Sequence, residues 1–227
     1  MNSLIQLDKE ILLYLNSFGA PVWDYFFWFF SGTLVWIPLY ASLLYLIIKK
    51  TQLNSLWIIL AITLTIVLCD QISSGLFKPL FERLRPSHDY EIGNKVILLH
   101  GFKAGKFGFV SSHAANTFGL STLISLLFRN RTLSIFFILW ATINSYSRIY
   151  LGLHYLGDII AGALIGILSA MFVFYLYKNI VLTKYSSNKT TISTLREDKN
   201  IGNNVSLVGL VSIAIMFLSS LQLIKII

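Results

Sequence analysis

His154 and Asp158 stand four residues apart in the stretch SRIYLGLHYLGD, which runs from Ser147 to Asp158. If a helix begins near His154, the two lie on one face, one turn apart. The aspartate can then hold one imidazole nitrogen, which fixes the tautomer and leaves the other nitrogen free as nucleophile or base. Arg148 comes six residues before His154, across a short turn containing Gly152. Two further groups lie upstream. Lys78 and Arg85 are seven residues apart, and Pro86 restricts the backbone of Arg85. Ser111, Ser112 and His113 open an apolar run. A serine there caps a helix, and the free N–H groups of the first turn attract anions.

These groups share one chemistry. Lys78, Arg85, Arg148 and backbone N–H groups would neutralise the equatorial oxygens of a phosphoryl group. One imidazole would attack phosphorus in line, and the other would protonate the leaving oxygen. The cationic side chains carry the charge, so neither a metal nor a cofactor is expected. No HExxH or cysteine cluster suggests a zinc site.

The elements that must position these residues are strongly apolar. Of 227 residues, 56% are hydrophobic and 12% charged, against roughly 25% charged in soluble domains. A bilayer span takes about 20 mostly apolar residues. Six runs approach that: Thr33 to Ile48, Ser55 to Phe77, Ser111 to Phe128, Thr132 to Tyr150, Tyr155 to Tyr177 and Val205 to Ile227. The aromatic stretch Trp23 to Phe30 is placed to lengthen the first. The expected fold is all-α, a polytopic membrane helix bundle with about six transmembrane helices and an N-terminal amphipathic helix.

That amphipathic helix occupies residues 1–20, where Leu4, Leu7, Ile11 and Leu15 follow helical spacing. It suits the membrane interface or a place against the bundle. Asp8, Lys9 and Glu10 interrupt the apolar stretch that a signal peptide needs. Residues 21–182 are expected to form the catalytic membrane core, 183–204 a polar cytoplasmic loop, and 205–227 a C-terminal transmembrane helix.

A net charge of +8 raises nucleic acid as a partner. The basic residues lie between spans instead, where the positive-inside rule puts them. Lys49 and Lys50, then Arg129 and Arg131, then Lys184, Lys189, Arg196 and Lys199 alternate so as to share the cytoplasmic side. Residues 78–110 and 151–154 then face outward. The first of these loops is itself basic, which breaks the rule and points to a bound anion. The single cysteine, Cys69, excludes an internal disulfide framework. Gly157, Gly162 and Gly166 suit close helix packing. Trp23, Trp28, Trp36 and Tyr25 read as membrane-interface residues, and His88, His100, Asp89 and Lys106 as solvated loop residues.

The three groups also carry a resemblance. Lys78 through Pro86, KPLFERLRP, fits the pattern KxxxxxxRP, and Ser147 through Asp158 fits SRxxxxxHxxxD. Ser111-Ser112-His113 is similar to a P-S-G-H element. In this order they resemble the three signatures of the type 2 phosphatidic acid phosphatase (PAP2) superfamily, which includes membrane lipid phosphatases, glucose-6-phosphatase and soluble vanadium haloperoxidases. The resemblance implies that His154 is the nucleophile forming a phosphohistidine and that Asp158 orients it. It implies that His113 is the general acid and later the base for water, and that Lys78, Arg85, Ser111 and Arg148 hold the phosphate. The second element departs twice. Val110 replaces its proline, which should loosen the turn, and Ser112 replaces its glycine, keeping the N–H and adding a hydroxyl.

Taken singly, each residue has an ordinary reading. Lys78 and Arg85 resemble snorkelling residues, His113 a helix-cap histidine, and His154 with Asp158 a structural pair. Their order and common side favour catalysis, and ionisable residues at a membrane edge are functional candidates by default. The implied partner is a membrane lipid phosphate in the outer leaflet, with the protein in a bacterial inner membrane and its site facing outward. Undecaprenyl diphosphate, phosphatidylglycerol phosphate, phosphatidate and lipid A phosphate all satisfy this, and the compact chain leans toward the first. A lipid phosphotransferase is the enzymatic alternative. An anion-binding transporter is the non-enzymatic one, but transporters place polar groups at mid-membrane rather than at span ends.

Overall fold

The computed structural model describes residues 2–181, 195–196 and 199–225. Its long helices are α1 (Asn2–Asn16), α2 (Pro21–Ser31), α3 (Ile37–Thr51), α4 (Ser55–Asp70), α5 (Ser112–Phe128), α6 (Arg131–Tyr150), α7 (Leu156–Leu176) and α8 (Lys199–Ile224). Among the described residues there is no strand, only an isolated bridge between Leu84 and Phe107. The all-α expectation holds, and α3 to α8 fall on the six apolar runs.

Among the described residues, three stretches are long and apolar enough to cross a membrane: Leu34–Phe81, Leu156–Val181 and Gly202–Ile224. The first covers both α3 and α4, joined through Gln52 at φ 47°. Helices α5 and α6 are less uniformly apolar because they bury polar side chains, among them Ser121, Asn144, Ser145 and Ser147.

Helices α5 and α7 form the most extensive helix pair. Glycine makes this possible. A Cβ on Gly162 would lie 2.4 Å from the Ser111 carbonyl oxygen, and one on Gly166 would lie 2.2 Å from that of Ala115. The two backbones therefore touch, as small residues allow between membrane helices. This contact sets the start of α5, with Ser111 and His113, against the start of α7, with Asp158.

Several local expectations change. Trp23 to Phe30 does not lengthen the first span. It forms the separate helix α2, started by Pro21 and ended where Gly32 turns extended. Trp36 is not an interface residue. It is 1% exposed, donates to the Phe30 carbonyl at 2.9 Å and packs edge-on against Trp140. Lys199 to Asn204, read as loop, belong to α8; Gly202 and three asparagines hid that start, because they are poor helix formers. Residues 183–194 of the expected cytoplasmic loop lie outside the described residues.

Helix α1 turns Lys9, Leu12 and Asn16 inward, where they are buried, and leaves Leu4, Leu7 and Tyr14 exposed. Asn16 bonds to both backbone groups of Ile97 and to the Tyr150 carbonyl. The loop after α4 doubles back on itself. The Arg85 amide donates to Lys106 O at 2.9 Å, and the Gly108 amide to Arg83 O at 2.8 Å.

Candidate active site

In extended backbone, residues two apart point to the same side. The paired segment therefore sends Arg83 and Arg85 the same way, toward the turn between α6 and α7. Pro86 keeps Arg85 extended, at φ −68° and ψ 157°. Nη1 of Arg85 bonds the Leu153 carbonyl at 2.9 Å and lies 2.8 Å from Nε2 of His154. On the other edge of that ring, Nδ1 lies 3.3 Å from Oδ2 of Asp158. The expected His–Asp pair is thus formed, with both residues almost fully buried. Asp158 also accepts the Tyr155 N–H at 3.1 Å, closing the first turn of α7.

Arg148 ends α6. Its carbonyl accepts the amides of Leu153 and His154, which folds the turn back onto it. Its Nη1 bonds the Ser31 hydroxyl, and among the described residues its buried Nε has no partner. Lys78 follows a π-helical stretch, Gln71–Phe77, and its amide bonds Ser73 O, five residues back. Such a widened turn is common at functional sites. Lys78 Nζ reaches the Ser74 hydroxyl at 3.0 Å and the Ser112 hydroxyl at 2.6 Å. The serine that departs from the family's glycine therefore holds Lys78.

Ser111 caps α5 by accepting the Ala114 N–H at 3.4 Å, and its own amide donates to Asp158 O at 3.0 Å. Val110 is fully buried, so the turn expected to be loose is tied to α7. The amides of Ser112 and His113 open the helix, where no carbonyl of the preceding turn is available to them. Among the described residues the His113 imidazole has no hydrogen-bond partner.

The site's charge is unbalanced. Arg85 and Arg148 are 8% and 9% exposed, yet among the described residues no carboxylate lies within salt-bridge reach of either, nor of Lys78. Buried charge without a partner is costly, so the arrangement calls for an anion. Burial, together with the nearby charges of Arg85, Arg148 and Lys78, pushes the His154 pKa well below the usual histidine range, so the ring is neutral. His113 borders a half-open cavity of about 470 Å³ between α3, α4, α5 and α6, lined by Tyr40, Leu43, Ile62, Ile66 and Leu120 among others. Its walls are mostly apolar side chains, so it suits a hydrocarbon chain. No group of three His, Cys, Asp or Glu side chains among the described residues could hold a metal ion.

The site brings together all eight residues singled out from sequence. Sequence reading missed a second layer. Arg83 bonds Oδ1 of Asp158 at 2.8 Å and Oδ2 of Asp8 at 2.7 Å, and lies over the Tyr155 ring. Asp89, read as a solvated loop residue, instead accepts from Lys9 and from the Tyr155 hydroxyl. The available signal was the alternation of Arg83 with Arg85. Nothing in the sequence pointed to Asp8.

The PAP2 superfamily profile matches residues 54–182, which contain all eight residues. The chain is 47% identical over 165 residues to lipid A 4'-phosphatase of Bacteroides thetaiotaomicron, covering 72% of this chain and 73% of that protein. It is 36% identical over 180 residues to lipid A 4'-phosphatase of Porphyromonas gingivalis, covering 78% and 75%. The crystal structure of Aquifex aeolicus LpxE superimposes with a TM-score of 0.55 at 26% identity, covering 73% of this chain and 93% of that one. With its motifs assembled at one end of an apolar helix bundle, the chain belongs to the PAP2 superfamily and is one of its membrane phosphatases.

Proposed function

We propose that the protein removes a phosphate monoester from an acylated saccharide lipid of the lipid A type, through a phosphohistidine on His154. The observation that carries this is the pair of buried arginines, Arg85 and Arg148, without carboxylate partners among the described residues and beside a neutral histidine. Lys78, Arg85, Arg148 and the Ser112 and His113 amides take the phosphoryl oxygens, with Ser111 capping the helix that presents those amides. Nε2 of His154 attacks phosphorus as the bond to the lipid oxygen breaks. His113 gives that oxygen its proton. Water then attacks the phosphohistidine and loses its proton to His113, the N–P bond breaks, and phosphate leaves. Asp158 holds Nδ1 throughout.

The cavity beside His113 supports a lipid substrate, because it places hydrocarbon next to the leaving-group acid. Sequence alone leaned toward undecaprenyl diphosphate. The two relatives move the choice toward lipid A, since both are phosphatases of its 4'-phosphate. The proposed setting is a bacterial inner membrane crossed by α3 to α8, with the site outward and α1 on the interface. Purified protein given bis-phosphorylated lipid A, undecaprenyl diphosphate, phosphatidylglycerol phosphate and phosphatidate should release phosphate fastest from lipid A, with loss of one phosphate by mass. Release from undecaprenyl diphosphate alone would refute the choice of substrate.

A further inference from the structure

We propose that Asp8, from the N-terminal helix, and Arg83 are positioning residues for the His154–Asp158 pair, acting as a relay from Asp8 through Arg83 and Asp158 to His154. The inference rests on the phosphohistidine reading and adds to it two residues outside the family's three signatures.

Each oxygen of Asp158 has a fixed task. Oδ2 faces His154 Nδ1 and the Tyr155 amide, and Oδ1 takes only Nη1 of Arg83. Without Arg83 nothing else described holds Oδ1, and the carboxylate could turn about its last bond, moving Oδ2 off the imidazole. Arg83 is held in its turn. Nη2 bonds Oδ2 of Asp8 at 2.7 Å, and its guanidinium lies 4.2 Å from the centre of the Tyr155 ring. Asp8 also accepts the Gly157 N–H through Oδ1 at 2.9 Å. It therefore grips both Arg83 and the turn of α7 that carries Asp158. Gly157 leaves room for it, since a Cβ there would fall 2.8 Å from Asp8 Oδ2.

Charge makes the relay more than a clamp. Asp158 with Arg83 alone is a neutral pair. Adding Asp8 makes the trio net negative, directly behind an imidazole that becomes cationic when phosphorylated. Uncharging Asp8 removes that support while leaving every phosphate-binding group in place. The loss should fall on kcat and spare KM, because neither Asp8 nor Arg83 touches the phosphoryl group. Groups that orient metal-bound histidines typically contribute 10–100-fold, so about 10-fold is expected here.

The structural alternative is that Asp8 merely pins α1. Asn16 separates the two, because it pins the same helix through Ile97 and Tyr150 without contacting Arg83, Tyr155 or Asp158. In the full-length protein with bis-phosphorylated lipid A, Asp8→Asn and Arg83→Gln should each lower kcat about 10-fold with KM within about twofold. Arg83→Lys should recover part of the loss, and Asn16→Ala should keep wild-type kcat. An Asp8→Asn kcat equal to wild type, or an Asn16→Ala loss as large as that of Asp8→Asn, would overturn the proposal. ¹⁵N-histidine NMR gives a readout independent of turnover. Asp8→Asn should shift the His154 Nδ1 resonance, and an unchanged resonance overturns the relay. If the wild-type protein releases no phosphate from lipid A, the substrate assignment fails and the NMR result alone decides the relay.

Discussion

Nη1 of Arg85 donates a hydrogen bond to Nε2 of His154 at 2.8 Å, so the nitrogen proposed to attack phosphorus is already engaged. With Nδ1 turned to Asp158, the neutral ring carries its proton on Nδ1 and offers a lone pair at Nε2. In the proposed reaction Arg85 occupies that lone pair until a phosphoryl oxygen gives its N–H a better acceptor. Grip on the substrate and release of the nucleophile then become one movement.

Loss of either histidine should have a different signature. His154→Ala removes the attacking atom, and turnover should fall at least about a thousand-fold with helical circular dichroism unchanged. His113→Ala removes only the proton donor. It should cost on the order of 10²–10⁴ with an alkyl leaving group and far less with 4-nitrophenyl phosphate, whose leaving group needs no proton. Equal losses on both substrates would argue against the acid assignment, and wild-type turnover in His154→Ala would end the mechanism.

The pH dependence follows from the buried ring. Burial first, then Arg85, Arg148 and Lys78, hold the His154 pKa well below 6.5, while Asp158 sits against Nδ1. The free enzyme therefore keeps its nucleophile neutral as pH drops through 6.5, and kcat/KM should show no loss from this group there. Below 6.5 the unfolded chain binds a proton at this position that the folded chain does not. The contribution to stability is thus complete above 6.5 and declines as pH falls toward the folded-state value. A kcat/KM profile in detergent and thermal unfolding at neutral and acid pH would check both. An apparent pKa near 6.5 on the acid limb, assigned to His154, would contradict them.

Charge supplied by side chains predicts insensitivity to chelation. Activity should persist in EDTA, and vanadate should inhibit by taking a five-coordinate geometry close to the transition state. Arg148→Ala should weaken vanadate inhibition, because the buried guanidinium no longer meets the anion. Activity lost on chelation and restored by magnesium would show that a metal carries part of the charge.

Topology can be tested from two exposed positions. Asn94 lies in the loop on the active-site side, and Leu53, 85% exposed, lies in the α3–α4 turn. With Cys69 replaced by alanine, Asn94→Cys should react with a membrane-impermeant thiol reagent in intact cells. Leu53→Cys should react only after lysis. Labelling of both from outside would break the six-span arrangement, and reversed labelling would turn the site toward the cytoplasm.

The helices and the grouping of the eight candidate residues were legible in the sequence because their causes are local. Apolar runs record burial in lipid, Pro86 and Ser111 act on adjacent backbone, and His154 with Asp158 need only one helical turn. What stayed hidden depends on distant contacts. Trp36 looks like an interface residue until Trp140, more than a hundred positions later, packs against it. Asp8 and Arg83 are 75 residues apart in the chain, and neither belongs to a pattern that spacing alone would single out. Asp89 looks like a loop acid because its partners come from α1 and from the turn before α7.

The widened stretch Gln71–Phe77 carries a consequence for Lys78 that no single side chain controls. An α-helical residue advances the chain by about 100°, and a π-type turn closes one residue later than an α-helical one. The bearing of Lys78 toward Ser112 is therefore a matter of phase. Wound as regular α-helix, the same seven residues would rotate everything after them by about 100°. Lys78 would keep its identity and its place in the motif, yet face away from the anion. The segment encodes an angle as much as a composition.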